Sequence, residues 1–499
     1  MKKFKYYLAF LLIFLLPALA MADQWQIVGP RALGMGGAHV AVVNDATAQY
    51  WNPAAFGFFG RQAGESSGVD EHSNKDFGMH IHGGLGYQSH EDTVKEIEDL
   101  TAFDYDAISN YVNNGFTNLS GVTDYIRMID ELDDLSRENI GVTALVDVSM
   151  NVRVRNWGVG VIGTLDLSAI PVLDLNNINP GTAGADFTAQ LGDLQTSTSA
   201  NSTYESLSPS QVTALETTIG GLTNWSPAEV TGYIYAVDDA LAFEGYTTGA
   251  APQTYIDSIL DVAVLADNTV GSGTFDNNSS IMVFKGAAIT EIPITYGHAF
   301  NDNFSMGVNL KAMKAETYYY RETIYRSDTG DLFKNADTNS KKSSSAGLDL
   351  GALYKAGPFR VGIVGRNLNK PSFDYAGPGD YEIDPQLRAG AAIRLGNWLT
   401  LAADMDLTEN DTNVSDSYKS KQFALGAEFD LLRFLKLRAG GYKNLSESDI
   451  GTVYTAGLGL NFFAFQLDTG VAWSKEKAEI EGDDVREEAR GELALSFQF

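Results

Sequence analysis

Gly491-Glu492-Leu493-Ala494-Leu495-Ser496-Phe497-Gln498-Phe499 closes the chain. Leu493, Leu495, Phe497 and Phe499 take one parity, and Glu492, Ala494, Ser496 and Gln498 take the other. A β-strand sends successive side chains to opposite faces, so this stretch predicts a strand with one apolar and one polar face. The segment before it repeats the pattern: Phe463, Phe465, Leu467, Val471 and Trp473 oppose Ala464, Gln466, Asp468, Gly470 and Ser474. Further back, Leu399–Leu407, Leu387–Leu395 and Val142–Met150 alternate in the same way.

Alternation alone also fits a soluble sandwich. Three features favour a membrane barrel. The strands come in pairs joined by short turns at Arg153–Asn156, Asn301–Asn303, Ala356–Pro358, Gly396-Asn397, Leu431–Arg433 and Phe462–Ala464, with longer polar loops between the pairs. Nearly every turn is flanked by an aromatic residue: Trp157, Phe304, Phe359, Trp398, Phe434 and the Phe462, Phe463, Phe465 group. Aromatics at one end of successive hairpins make a girdle at a membrane–water interface. The chain also stops inside a strand on an aromatic residue. Phe497 and Phe499 resemble the terminal signal by which outer-membrane barrels are taken up by the barrel-assembly machinery.

The expected fold is therefore an all-β membrane barrel of about 14 antiparallel strands. The strands are expected at 77–87, 141–152, 157–168, 283–299, 304–322, 345–355, 359–368, 385–395, 398–408, 420–430, 434–443, 452–462, 463–474 and 488–499. An even count with short turns on the periplasmic side places both termini in the periplasm.

The formal charge of the chain is -29 and it has no cysteine. A protein this acidic repels nucleic acid, so no nucleic-acid partner is expected. Without Cys there is no disulfide framework, thiolate nucleophile, Cys metal site or lipid-anchor site at the cleavage point. Lys2, Lys3 and Lys5, the apolar run Leu8–Leu19 and Ala20-Met21-Ala22 predict a signal peptide over 1–22. The expected cut lies before Asp23, with a cut after Ala20 as the alternative. Removing the three lysines takes the charge from -29 to -32. The apolar run is short for a spanning anchor.

The barrel proper is expected over 76–499, interrupted by insertions at 89–139 and 169–280. The first carries Val94, Ile97 and Leu100, then Ile126, Met128, Ile129, Leu132 and Leu135, at helical spacing. In the second, Ser208-Pro209-Ser210-Gln211 starts a helix, and Ser226-Pro227-Ala228-Glu229 has the spacing of a capping box. Both follow odd-numbered strands and are expected outside the cell, either as a solvated cap or as a platform that captures a substrate.

Residues 23–75 precede the first strand. They contain Gly34, Gly36 and Gly37, then Asn52-Pro53-Ala54. Small residues suit a segment packed inside a lumen. As a nucleotide loop the glycines are a weak signal, because no Lys-Ser/Thr follows. The run from Arg31 to Ala55 resembles the N-terminal plug of the FadL/TodX class of outer-membrane transporters for hydrophobic compounds, with Asn52-Pro53-Ala54 matching its Asn-Pro-Ala turn. Within that group the chain resembles the TraF-like barrels, named after a conjugal transfer protein, and the PorV-type barrels. Val364–Phe373 and Pro385–Gly390 carry this part of the resemblance. It implies a bacterial outer-membrane location, a plug (hatch) over 23–75, uptake of long-chain fatty acids or hydrocarbons without a cofactor, and a ligand path past Gly34, Gly36, Gly37, Asn52, Pro53 and Ala54. The helical insertions depart from the FadL pattern.

If the apolar parity faces lipid, the other parity lines the lumen. It offers Asp147, Asp166, Glu291, Asp349, Asp404, Asp406, Glu428, Asp468 and Glu492 against Arg360, Arg366, Arg388, Arg394, Lys436 and Arg438. Charges at this depth must pair or meet water. They form either a filled lumen of mutual ion pairs or a gated path. Pro293 removes a ladder hydrogen bond in the fourth strand and marks either a harmless adjustment or an irregular wall. His80 and His82 share a strand face, but no third ligand converges with them in sequence, so no metal site is expected. No nucleophile motif appears, and no catalytic residue or enzyme activity is expected. Transport leads, an interaction role in conjugation or secretion is the runner-up, and a membrane-embedded hydrolase is third.

Overall fold

Period-two patterning sorts side chains before any tertiary contact forms, and pairing each strand with its chain neighbour then closes the wall. The computed structural model describes residues 24–59 and 75–499, apart from 111–123, 178–203, 251–259, 264–276, 324–338 and scattered positions within 105–138 and at 176, 244–245, 261–262, 397, 432–433, 463–464 and 481–482. The expected signal peptide, plug residues 60–74 and Phe463 lie outside the described residues. The strands are β1 (Phe77–His90), β2 (Gly141–Val154), β3 (Trp157–Val172), β4 (Ile281–Ala299), β5 (Phe304–Thr323), β6 (Ser340–Ala356), β7 (Phe359–Arg366), β8 (Ser372–Asp374), β9 (Asp380–Glu382), β10 (Gln386–Leu395), β11 (Leu399–Asp406), β12 (Gln422–Leu431), β13 (Leu435–Asn444), β14 (Thr452–Phe462), β15 (Phe465–Ser474), β16 (Lys477–Ile480), β17 (Asp483–Arg486) and β18 (Glu488–Gln498). Fourteen of them form one closed antiparallel barrel, and β8–β9 and β16–β17 are separate small hairpins.

Closure runs through the last strand. Gly78 faces Gln498 and Gln88 faces Glu488 across β1 and β18. Phe77 N donates to Phe499 O at 3.1 Å and Phe499 N to Phe77 O at 3.0 Å. A closed ladder leaves no strand edge, which is what lets a sheet sit in hydrocarbon.

The polarity of the wall is inverted relative to a soluble barrel. On β18, Leu493 is 57% exposed and Glu492 only 5%. On β5, Leu310 is 62% exposed and Asn309 fully buried. An apolar belt of this kind around the outside is stable only against lipid. Trp157, Phe359, Trp398, Phe434, Phe462 and Phe465 stand exposed at the short-turn end, where the girdle was expected. β4 and β5 have 19 and 20 residues, more than the roughly 9–11 a bilayer needs. Their far ends rise above the belt, where the outward positions of β5 become Lys314 and Glu316. No helix among the described residues is long and apolar enough to cross a membrane.

Both insertions lie at the long-loop end. They contribute helices Thr93–Ala102, Pro209–Leu222 and Pro227–Phe243. Ser208 and Gln211 make the reciprocal capping box. At the next helix, Ser226 N donates to Glu229 Oε2 at 2.5 Å. Met128, Leu132 and Leu135 from the first insertion pack with Val212, Ile219 and Tyr233 from the second. The two insertions therefore share one apolar core, which the sequence reading had not joined. β6 starts at Ser340, ahead of the expected 345. Serines at 343–345 fill both parities and hide the alternation.

Candidate functional site: the plug and its seat in the lumen

Residues 24–59 fill the lumen. Small residues and turns let the chain fold back on itself in a narrow space, through helical turns at Pro30–Gly34 and Ala48–Trp51 and a 3-10 turn at Pro53–Phe58. Asn52 holds the last two together. Its Oδ1 accepts from Ala54 N at 3.1 Å, and its Nδ2 donates to Val40 O and Ala352 O at 3.2 Å each. One side chain thus caps its own turn, ties a second plug segment and reaches β6. Trp51 Nε1 donates to Val28 O at 2.9 Å and Tyr50 OH to Gln26 O at 2.8 Å, so the buried rings keep their polar ends satisfied.

The wall accepts the plug through glycines. A Cβ on Gly307 of β5 would lie 2.2 Å from the Pro53 carbonyl carbon, and one on Gly351 of β6 would lie 2.2 Å from Asn52 Oδ1. On Gly426 of β12 it would meet Met35 O at 2.3 Å, and on Gly470 of β15 it would meet Pro30 O at 2.6 Å. From the plug side, Gly34 faces Gly457 and Gly36, at φ +66°, faces Gly441. Gly37 also has positive φ, at +86°. Glycine in a strand interior marks close backbone approach, and these lie on the lumen parity. In sequence they stand only as small residues among the polar-parity positions, and nothing local marks them as a seat. Gly307→Val is expected to cost about 1–3 kcal/mol through overpacking. A folded barrel that still shifts on gels but admits trypsin at Arg31 is the expected outcome.

Polar contacts add direction. Arg31 meets Glu428 through Nε and Nη2 at 2.9 Å each. Glu428 also meets Arg438 at 2.7 Å, and Arg438 meets Asp468 at 2.6 Å. Asp404 Oδ2 accepts from the backbone of His39 and Val40 at 2.8 Å each. Arg366 pairs with Glu291 at 3.0 Å and lies 3.9 Å from the Tyr50 ring centroid. Arg388 pairs with Asp406 at 2.5 Å and lies 4.7 Å from the Trp25 ring. These stacks use Arg's flat, weakly hydrated face. The structure thus brings Arg366, Arg388, Arg438 and Asp404 onto the plug, with Asp468 behind Arg438. Arg360 and Arg394 instead line a cavity of about 30 Å3 at the short-turn end, with Arg31, Lys436 and Trp398.

Two further cavities lie towards the long loops. One, of about 10 Å3 and so no larger than a water site, is lined by Gln24, Tyr50, Ile162, Ile289, Glu291 and Arg366. The other, about 30 Å3, lies at the mouth and shares Gln24 with it. The β11–β12 loop folds into this mouth. Its Asn413 donates to Asp166 at 3.1 Å, and Gln24 reaches the same carboxylate at 3.0 Å. Tyr418 OH donates to Asp449 at 2.7 Å. Burial pushes the Tyr418 hydroxyl far up, and the Asp449 charge adds to it. Burial alone would raise Asp449, but the His90 contact and the Tyr418 hydrogen bond hold it below the ordinary value.

His82 stands between Ser149 Oγ at Nδ1 and Asp147 at Nε2, each at 2.7 Å. That is the hydrogen-bond order of a Ser-His-Asp triad. Ser149 is 6% exposed, and none of the three cavities reaches it. The ring nitrogens are exchanged relative to that triad, with Ser149 on Nδ1 and Asp147 on Nε2. His80 takes Ser496 at 2.8 Å, so the two histidines serve separate partners.

Residues 49–406 match the family described as "F plasmid transfer operon, TraF, protein". Comparison with curated protein sequences finds no match. Among solved structures, the chain is similar to the Ralstonia pickettii toluene transporter TbuX, with TM-score 0.43 and 11% identity over 96% of this chain and 100% of that one. The P. putida toluene transporter TodX gives TM-score 0.41 and 10% identity over 94% and 97%. A Pseudomonas aeruginosa FadL homologue gives TM-score 0.41 and 12% identity over 97% and 99%.

Proposed function

We infer, from a chain that belongs to the F plasmid transfer operon TraF protein family and closes as a plugged barrel, that the protein carries hydrophobic small molecules across the bacterial outer membrane. The observation that carries this reading is an apolar route that ends at a break in the wall. Ala287 and Ile289 of β4 and Met313 and Ala315 of β5 face the lumen beneath Phe373, Tyr381 and Ile383. Ile289 continues into the inner cavity, whose lining also includes Ile162 and Glu291. Ile162 and Glu291 are register partners across β3 and β4. Directly beyond them the ladder skips Gly160, Val161, Ile292 and Pro293, and it resumes at Val159 and Ile294. Pairing of β4 with β5 is continuous through Pro293. Proline cannot donate to the ladder, which accounts for a break confined to the β3 side. Gln49 of the plug sits at this point and donates to Val159 O at 3.2 Å.

An apolar solute entering at the mouth follows the greasy strip, passes the Glu291–Arg366 pair as the plug side chains at the inner cavity move aside, and leaves sideways into lipid at 160–161/292–293. It thereby avoids the charged floor under the plug, where an apolar molecule gains nothing. The protein's partners on this reading are the membrane lipid, the solute, and the assembly machinery that recognises Phe497 and Phe499. Proteoliposomes offered a long-chain fatty acid and a monoaromatic hydrocarbon test it. The intact chain is expected to accumulate at least one of them, and deletion of residues 31–55 is expected to convert it to a non-selective polar pore. If neither protein moves any apolar solute, the reading fails.

A second reading makes the barrel a display for a partner in conjugation or secretion. The shared core of the two insertions favours it, because that core is built apart from the lumen. Removal of residues 209–243 separates the two readings: transport survives the deletion, whereas a display role does not.

A further inference from the structure

We propose that Glu96, Glu131 and Asp134 form a calcium site that clamps the two ends of the first insertion together beside the barrel mouth. One carboxylate oxygen from each residue lies within 4.8 Å of the others. Three oxygens this close can share a single ion, and Ca²⁺ accepts such carboxylates in a flexible geometry at about 2.3–2.6 Å, whereas Mg²⁺ demands a near-ideal octahedron and keeps most of its waters. A ligand set made only of carboxylates selects a hard cation over zinc or copper.

Proximity of acidic groups alone would not suffice, but two buried oxygens here lack a donor. Glu96 is only 7% exposed. Its Oε2, like Oε2 of Glu131, receives no hydrogen bond. Such an arrangement requires a proton or a cation between the carboxylates. The nearby cation does not fill that place. Lys95 Nζ lies 2.6 Å from Asp99 and 3.8 Å from the other Glu96 oxygen, on a side chain 44% exposed. Arg137 engages Asp134 from the solvent side.

The ion would couple structure across the insertion. Glu96 lies on the helix Thr93–Ala102 that leaves β1, and Glu131 and Asp134 lie just before β2. Leu132 and Leu135, beside the last two ligands, are in the apolar core shared with the second insertion. Binding would therefore order the cap where it meets the barrel.

The test uses the full chain in detergent free of lipopolysaccharide, stripped with a chelator and titrated calorimetrically with CaCl₂. Uptake at one site is expected, with a dissociation constant on the order of 10⁻⁴–10⁻³ M as in other extracellular calcium modules. Glu96→Gln and Glu131→Gln are each expected to weaken it at least tenfold. These variants remove repulsion rather than packing, and an unchanged circular dichroism spectrum will show that they fold. Calcium should also slow trypsin cleavage at Lys95 and Arg137 in the wild type only. The proposal is overturned if the wild type takes up no calcium, as a shared proton would dictate, or if Glu96→Gln binds it equally well.

Discussion

A Glu428→Ala barrel is expected to conduct ions where the wild-type barrel stays closed. Glu428 is the junction between plug and wall: it accepts from Arg31 on one side and from Arg438 on the other. It is only 7% exposed, and the Arg438 side chain is fully buried. Removing the shared acceptor leaves two guanidinium groups facing each other in a place with little water. Breaking a buried pair in this way costs about 3–5 kcal/mol, most of it the penalty on the charge left behind. Arg438 retains its ion pair with Asp468, whereas Arg31 retains a hydrogen bond to the neutral Asn44, at 2.5 Å, and the more distant charges of Asp45 and Asp468. The strain therefore falls on the plug, and the strand pairing of the barrel is untouched. Current across a planar bilayer should rise from near zero to discrete openings. Glu428→Gln should lie between, because an amide oxygen still accepts one hydrogen bond. A closed, undiminished Glu428→Ala barrel would mean that the glycine seat alone holds the plug.

That comparison separates two kinds of contact that differ in how visible they are in sequence. The wall was legible because every strand repeats the same two-residue period and each hairpin ends in a turn beside an aromatic. All fourteen barrel strands stand where alternation placed them. The hairpins β8–β9 and β16–β17 were not legible, since three or four residues carry no measurable period. Phe373 and Tyr381 became core only because the loop doubles back into the mouth.

Inside the lumen, parity identified which charges point inward but not which ones meet. Arg31 and Glu428 are 397 residues apart. His80 and His82 were set side by side because they share a parity. It is the β1–β2 register, His82 opposite Ser149 and Gly84 opposite Asp147, that decides the partners of His82. Register follows from turn geometry and packing on both faces, which a single strand does not display. The Asn52-Pro53-Ala54 turn was readable as a local device. Its reach to Val40 and Ala352 was not.

Pro293 was visible as an anomaly, and its consequence gives the sharpest expectation for transport. Val161 and Ile292 are opposite each other in the register but skipped by the ladder, and both face outward. The chain has no cysteine, so Val161→Cys with Ile292→Cys introduces the only possible disulfide. Closing it would bind β3 to β4 across the gap without touching plug, mouth or cap. If solute leaves through the wall, uptake by the oxidised protein should fall to the level of empty liposomes, and dithiothreitol should restore it. The single variants control for loss of side-chain volume at the lipid face, where truncation is tolerated more readily than in a close-packed interior. Equal uptake by the oxidised and reduced forms, with the cross-link verified by mass spectrometry, would place the exit elsewhere. The solute would then have to pass the plug itself, through the Arg31–Glu428 contact and into the cavity lined by Arg360 and Arg394. Glu428→Ala should then accelerate uptake. A lateral exit predicts no such gain, because the break lies between β3 and β4, away from the ion pairs on β12, β13 and β15.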